Sequence, residues 1–391
     1  MYSSKTNLKF DLIVIGAGAL GAFHSLFALK RGYKVLLLEK DLRPVEATVR
    51  NFGQVIPSGM LEGEWFEYGK ISLDTYLSIQ KEYDISIRQN GSTYLASTQE
   101  EMKVLEEISA KYQGLHYPSE ILDAKECIKR LPSVNSQYCK GGLFFPQEVT
   151  AEPGLMIHRL LQYLIAKYDL NYLPSTPVKE LNPSSTGVEV VDTKGVRYYG
   201  SRALVCNGRD FQFLMPDLFQ KSDLELVKLQ MMETVPLPQI SLPGSILSGL
   251  SIKRYYAFKS LPSYKEMFKY SADKAIIDAQ IHILFKQSLD GSIIIGDSHE
   301  YADVALAQTI DFGIDESINT LILNEAKKIL NLPTWEIRRY WNGFYSQSKS
   351  SEIFDHFVDD KIQVVTGIGG KGMTTSCGYS CKNIERNYPA L

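Results

Sequence analysis

Two glycine runs at opposite ends of the chain carry the clearest chemistry. The first is Gly16-Ala17-Gly18-Ala19-Leu20-Gly21. In a G-x-G-x-x-G run the first glycine permits a tight turn, the second lets backbone amides approach a pyrophosphate, and the third allows a helix to pack closely on a strand. Glu39 follows at roughly the 20-residue distance at which a carboxylate reaches the ribose hydroxyls of an adenine dinucleotide. The second run is Gly367-Ile368-Gly369-Gly370-Lys371-Gly372-Met373-Thr374. Successive glycines let backbone lie against a flat ring, and a helix that follows them aims N–H groups and positive potential at an electron-rich edge. Lys371 would add a full positive charge there. His282 falls in an alternating stretch, 279–285, and reads either as a pocket residue or as a hydrogen-bonded histidine of a sheet.

The first motif needs a strand before it and a helix after it, and the sequence supplies both. Residues 10–15 read as a buried parallel strand, an apolar helix runs to about Arg31, Gly32 ends it, and 34–39 is a second buried strand. Helices are expected over 72–83, 99–112, 123–130 and 153–168, the last opened by Pro153. Short alternating segments at 176–182, 188–192 and 196–199 precede a buried strand at 203–206, a small antiparallel sheet feeding back into the parallel one. From 224 to 297 the pattern is mostly β with no long amphipathic helix, whereas 314–330 is a clear amphipathic helix. Strands are expected near 337–345 and 361–366.

Composition excludes other classes. The chain has 391 residues with 42 Lys plus Arg against 45 Asp plus Glu, so no bulk positive field exists to attract nucleic acid or an anionic membrane. Its five cysteines form no CxxC pair, which argues against a disulfide framework or a structural zinc site. Apolar runs are strand-sized, far short of the ~20 residues of a membrane span. A cytoplasmic protein with no transmembrane segment is expected.

Four separated motifs together resemble the FAD-dependent amine oxidase superfamily that includes D-amino-acid oxidase, glycine oxidase and sarcosine oxidase. They are the N-terminal unit, the loop Ala47-Thr48-Val49-Arg50-Asn51-Phe52-Gly53-Gln54, the strand end Leu204-Val205-Cys206-Asn207-Gly208, and the C-terminal glycine run. The superfamily usually carries a histidine early in that last run, where Ile368 stands here. Finer wording is similar to a branch associated with phosphonate utilisation, through Val49 to Gly53, Lys228 to Met231, Ile281-His282, Gly296 to Tyr301 and Trp341 to Tyr345.

The resemblance implies an α/β fold: a Rossmann-type FAD domain with a parallel sheet, over 1–82, 141–210 and 333–391, interleaved with a mixed, mainly antiparallel substrate domain over 83–140 and 211–332. It implies noncovalent FAD held by Gly16 to Gly21, Glu39, Lys40, Thr48, Arg50 to Gly53, Val178, Cys206 to Gly208, Gly343 and Ile368 to Thr374. Lys371 and His282 are the catalytic candidates. Arg50, Gln54, His282, Arg339, Trp341 and Tyr345 are the substrate candidates. Arg50 could bind either a substrate anion or a cofactor phosphate, and Lys253-Arg254-Tyr255-Tyr256 reads as an exposed strand or lid. The implied activity is hydride transfer from a small amine to flavin N5 followed by imine hydrolysis, with oxygen or another electron acceptor completing the cycle. The amine could be 2-aminoethylphosphonate-like, or it could be a carboxylate such as a D-amino acid, glycine or sarcosine. A flavin-fold protein without turnover is the remaining alternative.

Overall fold

The computed structural model describes residues 9–269 and 273–390. The first strand, Lys9–Ile15, runs parallel to Val35–Leu38 on one side and to Arg197–Val205 on the other. Leu12, Ile13 and Val14 are fully buried, Leu12 and Val14 in the apolar cluster on the helix side and Ile13 in a second cluster on the other face, which is why the segment reads as an unbroken apolar run rather than an alternation. Asn171–Leu173 extends this sheet beyond Val35–Leu38, and Ile362–Thr366 extends it beyond Arg197–Val205 with Phe354–Phe357 antiparallel at the edge. Val178–Ser184 and Gly187–Asp192 form an antiparallel meander with Arg197–Val205, as the short alternating segments predict.

The helix Ala19–Lys30 and the C-terminal helix Gly372–Asn387 pack together on one face of that sheet, with Glu64–Glu82 against the latter. Gly378 makes the second packing possible. A Cβ there would sit 2.0 Å from the carbonyl oxygen of Tyr68.

The second sheet has nine strands, nearly all antiparallel, with Leu224–Thr234 and Ile337–Ser348 as its longest pair. Ser92–Ala96 and Ser245–Leu247 form its parallel contact. The two sheets give the α/β architecture with one parallel and one mixed, mainly antiparallel layer. Two strands fall across the expected domain boundaries: Gly141–Phe145 pairs with Ser92–Ala96, and Ile337–Ser348 pairs with Leu224–Thr234. Both therefore belong to the second sheet, although 141–210 and 333–391 were expected with the first. Each has its partner far away in sequence, so nothing local marks its sheet.

The stretch expected to be mostly β departs in a further way. Between Ser245–Leu247 and Leu284–Gln287 the chain makes short helical turns at Gly249–Arg254, Tyr256–Lys259, Tyr264–Lys269 and Lys274–Asp278. None is long enough to print a helical period. The strand at Leu284–Gln287 begins after His282, whose backbone instead exchanges hydrogen bonds with Asp297, at 3.0 and 2.7 Å. Among the described residues no helix is long and apolar enough to cross a membrane.

Candidate active site

Both glycine runs open onto one cavity of 1180 Å³ between the two sheets. At its first end, Gly16 has φ +98° and a Cβ there would lie 2.2 Å from the carbonyl of Cys206, while a Cβ on Gly21 would lie 1.8 Å from the carbonyl of Gly16. Only glycine permits this three-way approach of strand, turn and helix. Ala17 N donates to Glu39 Oε2 at 2.8 Å and Asp41 N to Glu39 Oε1 at 3.1 Å. Burial raises the carboxyl of Glu39, with the two amides opposing. Thr48 Oγ1 accepts from Ala19 N at 3.0 Å, so the 47–49 turn sits directly on the helix N-terminus. Asn51 shapes that loop by donating to the carbonyls of Ala47 and Thr48 and accepting from Gly53 N.

At the other end Gly369, at φ +69°, begins the turn into Gly372–Asn387. Lys371 Nζ lies 2.8 Å from Glu352 Oε2 and 4.5 Å from the centre of the Trp65 ring, and burial lowers its pKa. Thr374 Oγ1 accepts from Ile56 N at 3.1 Å. Two helix N-termini, each of a helix long enough to carry a dipole, therefore face a glycine-lined cavity. Gln54 Nε2 is buried without a partner on its wall, and Asn207 Oδ1 is buried without one behind the lining residues Cys206 and Gly208. Two convergent donor ends, a buried carboxylate at the ribose position and unsatisfied polar atoms fit an extended dinucleotide cofactor.

Beyond the glycines, the walls hold a cluster at the start of Leu284–Gln287, the end of Ile293–Gly296 and the edge strand Glu300–Asp303 of the second sheet. His282 Nε2 is 2.7 Å from Asp297 Oδ1, and its Nδ1 is 3.3 Å from Ser251 Oγ. The His282 ring stacks on His299 with centroids 5.4 Å apart, and His299 stacks on Tyr301 at 6.1 Å. Burial lowers both imidazoles, His299 to about 3. Burial also acts to raise the carboxyl of Asp297, but His282, His299 and Arg254 outweigh it and hold it below the usual range. Tyr301 OH accepts from Arg254 at 3.0 Å. Lys259 lies 4.1 Å from the centre of the Tyr256 ring, and burial and the charge of Arg254 both lower its pKa.

Of the sequence-derived candidates, Gly18, Ala19, Leu20, Thr48, Asn51, Phe52, Gln54, Cys206, Gly208, His282, Tyr345 and Ile368 to Thr374 line this cavity. Gly16, Ala17, Gly21, Glu39 and Gly53 stand behind it and shape its turns. Lys40 is exposed and pairs with Asp210 at 3.5 Å. Val178 starts an antiparallel strand, Asn207 donates to the Asp210 carbonyl, and Gly343 packs against Leu229, all off the cavity wall.

Three substrate candidates turn elsewhere. Arg50 donates to the carbonyls of Val45, at 2.8 Å, and Asn342, at 3.3 Å, tying the loop to the long strand. Arg339 is exposed, with Nε 2.5 Å from Glu233 Oε2, and Trp341 Nε1 donates to the Arg50 carbonyl at 3.2 Å. Arg254, which the sequence reads as part of an exposed strand or lid, lines the cavity, as do Asp297, His299 and Tyr301, to which the sequence assigned no role in the site. The Gly296 to Tyr301 turn offered a signal: an acid and a histidine two residues apart, directly after a buried strand.

A family profile described as DAO, FAD dependent oxidoreductase, matches residues 11–380. Similar curated proteins include N-methyl-L-tryptophan oxidase of Salmonella typhi, 26% identical over 215 residues, or 54% of this chain and 56% of that protein. The Salmonella arizonae protein of the same name is 28% identical over 217 residues, with the same coverage. The chain thus spans about half the length of the curated relatives it matches. Similar solved structures include glycine oxidase from Geobacillus kaustophilus, with TM-score 0.76, 16% identity and coverage of 98% of this chain and 96% of that one. L-proline dehydrogenase from P. horikoshii gives TM-score 0.75 and 18% identity, covering 97% and 93%. At these identities the structures establish likeness of fold.

Proposed function

Because the chain belongs to the DAO family of FAD-dependent oxidoreductases, we propose that it oxidises the C–N bond of a small amine carrying an anionic group, best fitted by a 2-aminoethylphosphonate-like zwitterion. One observation carries this reading: Arg254 faces the cavity with Tyr301 OH as its hydrogen-bond partner and has no carboxylate partner among the described residues. Lys259 lines the same cavity and likewise has no carboxylate partner among them. The other lining cations are neutralised, Lys253 by Glu101, Lys349 by Asp303, Lys371 by Glu352 and Arg209 by Glu46. Two cations without carboxylate partners on one cavity suit a dianion such as a phosphonate better than a single carboxylate.

The backbone at Gly18 to Leu20, Glu39, Thr48, Gly208 and the Gly369 to Thr374 turn would hold FAD. Bound there, FAD supplies the acceptor for the hydride lost from the amine carbon. The chain's own residues do the rest. Arg254 and Lys259 fix the anionic end, Tyr255 and Tyr345 wall the pocket, and Phe52, Ile56 and Met60 exclude water. The helix N-terminus at Gly372 keeps positive potential at the glycine turn, where Lys371 is paired with Glu352. Water then hydrolyses the released imine.

The test compares anaerobic flavin reduction by 2-aminoethylphosphonate, its N-methyl derivative, glycine, D-alanine and uncharged propylamine, in wild type and Arg254→Met. The anionic amines should reduce the wild type and propylamine should not. Losing the charge-assisted contact should cost the variant about 10- to 100-fold in kcat/KM on the anionic amines. Faster reduction by the carboxylates than by the phosphonates would replace the phosphonate with an amino acid as substrate.

A further inference from the structure

Asp297 is 5% exposed and lines the cavity, yet its Oδ1 has no well-aligned hydrogen-bond donor. His282 Nε2 is near it, at 2.7 Å, but off the direction of a hydrogen bond, and His299 Nδ1 stands 3.9 Å away. His299 Nδ1 also faces the Gln280 carbonyl at 3.3 Å; a carbonyl only accepts, so that nitrogen carries the proton. No Lys or Arg pairs with Asp297 among the described residues. Arg254, the nearest free cation on the same wall, is turned to Tyr301 instead. A buried carboxylate is costly unless something compensates it, and here a carboxylate and a guanidinium share one cavity without meeting.

We propose that Asp297, clasped between His282 and His299, is the counter-ion of the substrate's amine nitrogen, so that the pocket recognises a zwitterion with its anion on Arg254 and its ammonium on Asp297. This rests on the amine-oxidising reading above. Two imidazoles and a carboxylate are also a possible metal set, but the adjacent guanidinium repels a divalent cation and attracts a ligand that brings its own anion.

The role extends into the reaction. The bound ammonium gives one proton to water. The Cα hydrogen would then leave as hydride, taking the bond's electron pair with it to bound FAD, and the nitrogen lone pair would form the C=N bond of an iminium cation. That cation carries its charge where the ammonium did, beside Asp297. Addition of water gives an aldehyde or oxo acid and ammonium. Measured from the neutral amine left by that proton loss, a fixed carboxylate facing the charge that develops lowers the barrier to hydride loss without reorganising.

The experiment uses the flavin-loaded protein and the amine that reduces it, with Asp297→Asn, Asp297→Glu and Arg254→Met. At a pH above the pKa of the bound amine, where the reacting form is already neutral, Asp297→Asn should lower the limiting anaerobic rate of flavin reduction by about 100-fold, the scale of losing one preorganised electrostatic partner. It should bind the amine-free analogue ethylphosphonate, read from the shift of the flavin visible band, within about twofold of wild type because the anionic end still reaches Arg254. Arg254→Met should weaken that binding, and Asp297→Glu should recover part of the rate. An unchanged rate in Asp297→Asn would overturn the proposal, as would a glutamate variant no faster than the asparagine one. Stoichiometric metal in the wild type that the asparagine variant lacks would overturn it in favour of a metal centre. If no amine reduces the wild type, the amine-oxidising reading itself falls and takes this assignment with it.

Discussion

Tyr301 is the residue on which the geometry of Arg254 depends. Its hydroxyl accepts from the guanidinium at 3.0 Å and its ring stacks on His299, so it fixes the cation's direction while spending none of its charge. Tyr301→Phe leaves Arg254 charged but loosely placed. Steady-state kinetics with an anionic amine should show KM rising about tenfold and kcat changing little, the cost of one hydrogen bond to a charged group. A fall in kcat at constant KM would place Tyr301 in the chemical step instead. Residues of this kind were hard to read from sequence. His282 was found because it lies in an apolar alternation, but Asp297, His299 and Tyr301 follow a glycine in a segment that reads as a turn. They become a site only because His282 and Asp297 pair across the sheet. Arg50 misled in the opposite sense: its loop is at the cavity, yet its guanidinium serves two backbone carbonyls.

Elements place these side chains through close backbone approaches. Gly21 is legible in the sequence because its spacing belongs to a known phosphate turn, and the structure gives the reason in a Cβ position 1.8 Å from the Gly16 carbonyl. Gly21→Ala should therefore yield protein with little bound flavin, measured as flavin absorbance relative to protein after purification. Gly378 has no such signature. It is one small residue in the helix Gly372–Asn387, and its need for a missing side chain comes from Tyr68, on a helix some 300 residues earlier in the chain. Gly378→Ala should destabilise the protein by about 1–3 kcal/mol through overpacking, seen as a lower denaturation midpoint. The short helices between 249 and 278 escaped detection for a related reason. A single turn carries no period, and Arg254 rides on one of them.

At the scale of the whole molecule, the chain's two ends and its middle meet in one sheet, which is why the glycine motifs at Gly16 and Gly369 share a cavity. That interleaving follows from the motif positions alone, whereas the sheet membership of Gly141–Phe145 and Ile337–Ser348 depends on partners no local pattern reveals. Buried histidines give the assembled core a pH signature. His24, in the helix Ala19–Lys30, is fully buried, and that burial pushes it from 6.5 down to about 4 against the opposing Leu20 carbonyl and Asp355. The unfolded chain binds its proton below pH 6.5 while the folded chain does not, so this contribution to stability is present above pH 6.5 and is lost as pH falls toward 4. Thermal melts across that window should fall less steeply for His24→Asn than for wild type, by an amount on the order of a few kcal/mol at the acid end. Equal slopes would mean that the imidazole is already protonated in the fold.

The central claim is that this cavity binds FAD and passes to it the hydride of an anionic amine. Its most direct test is the visible spectrum of the purified protein in an oxygen-free cell, before and after 2-aminoethylphosphonate or a small amino acid is added. The account predicts an oxidised flavin band that bleaches, with ammonia or a smaller amine released in proportion to the flavin reduced. Protein that holds no flavin even after incubation with FAD, or flavin that no anionic amine bleaches, would contradict it.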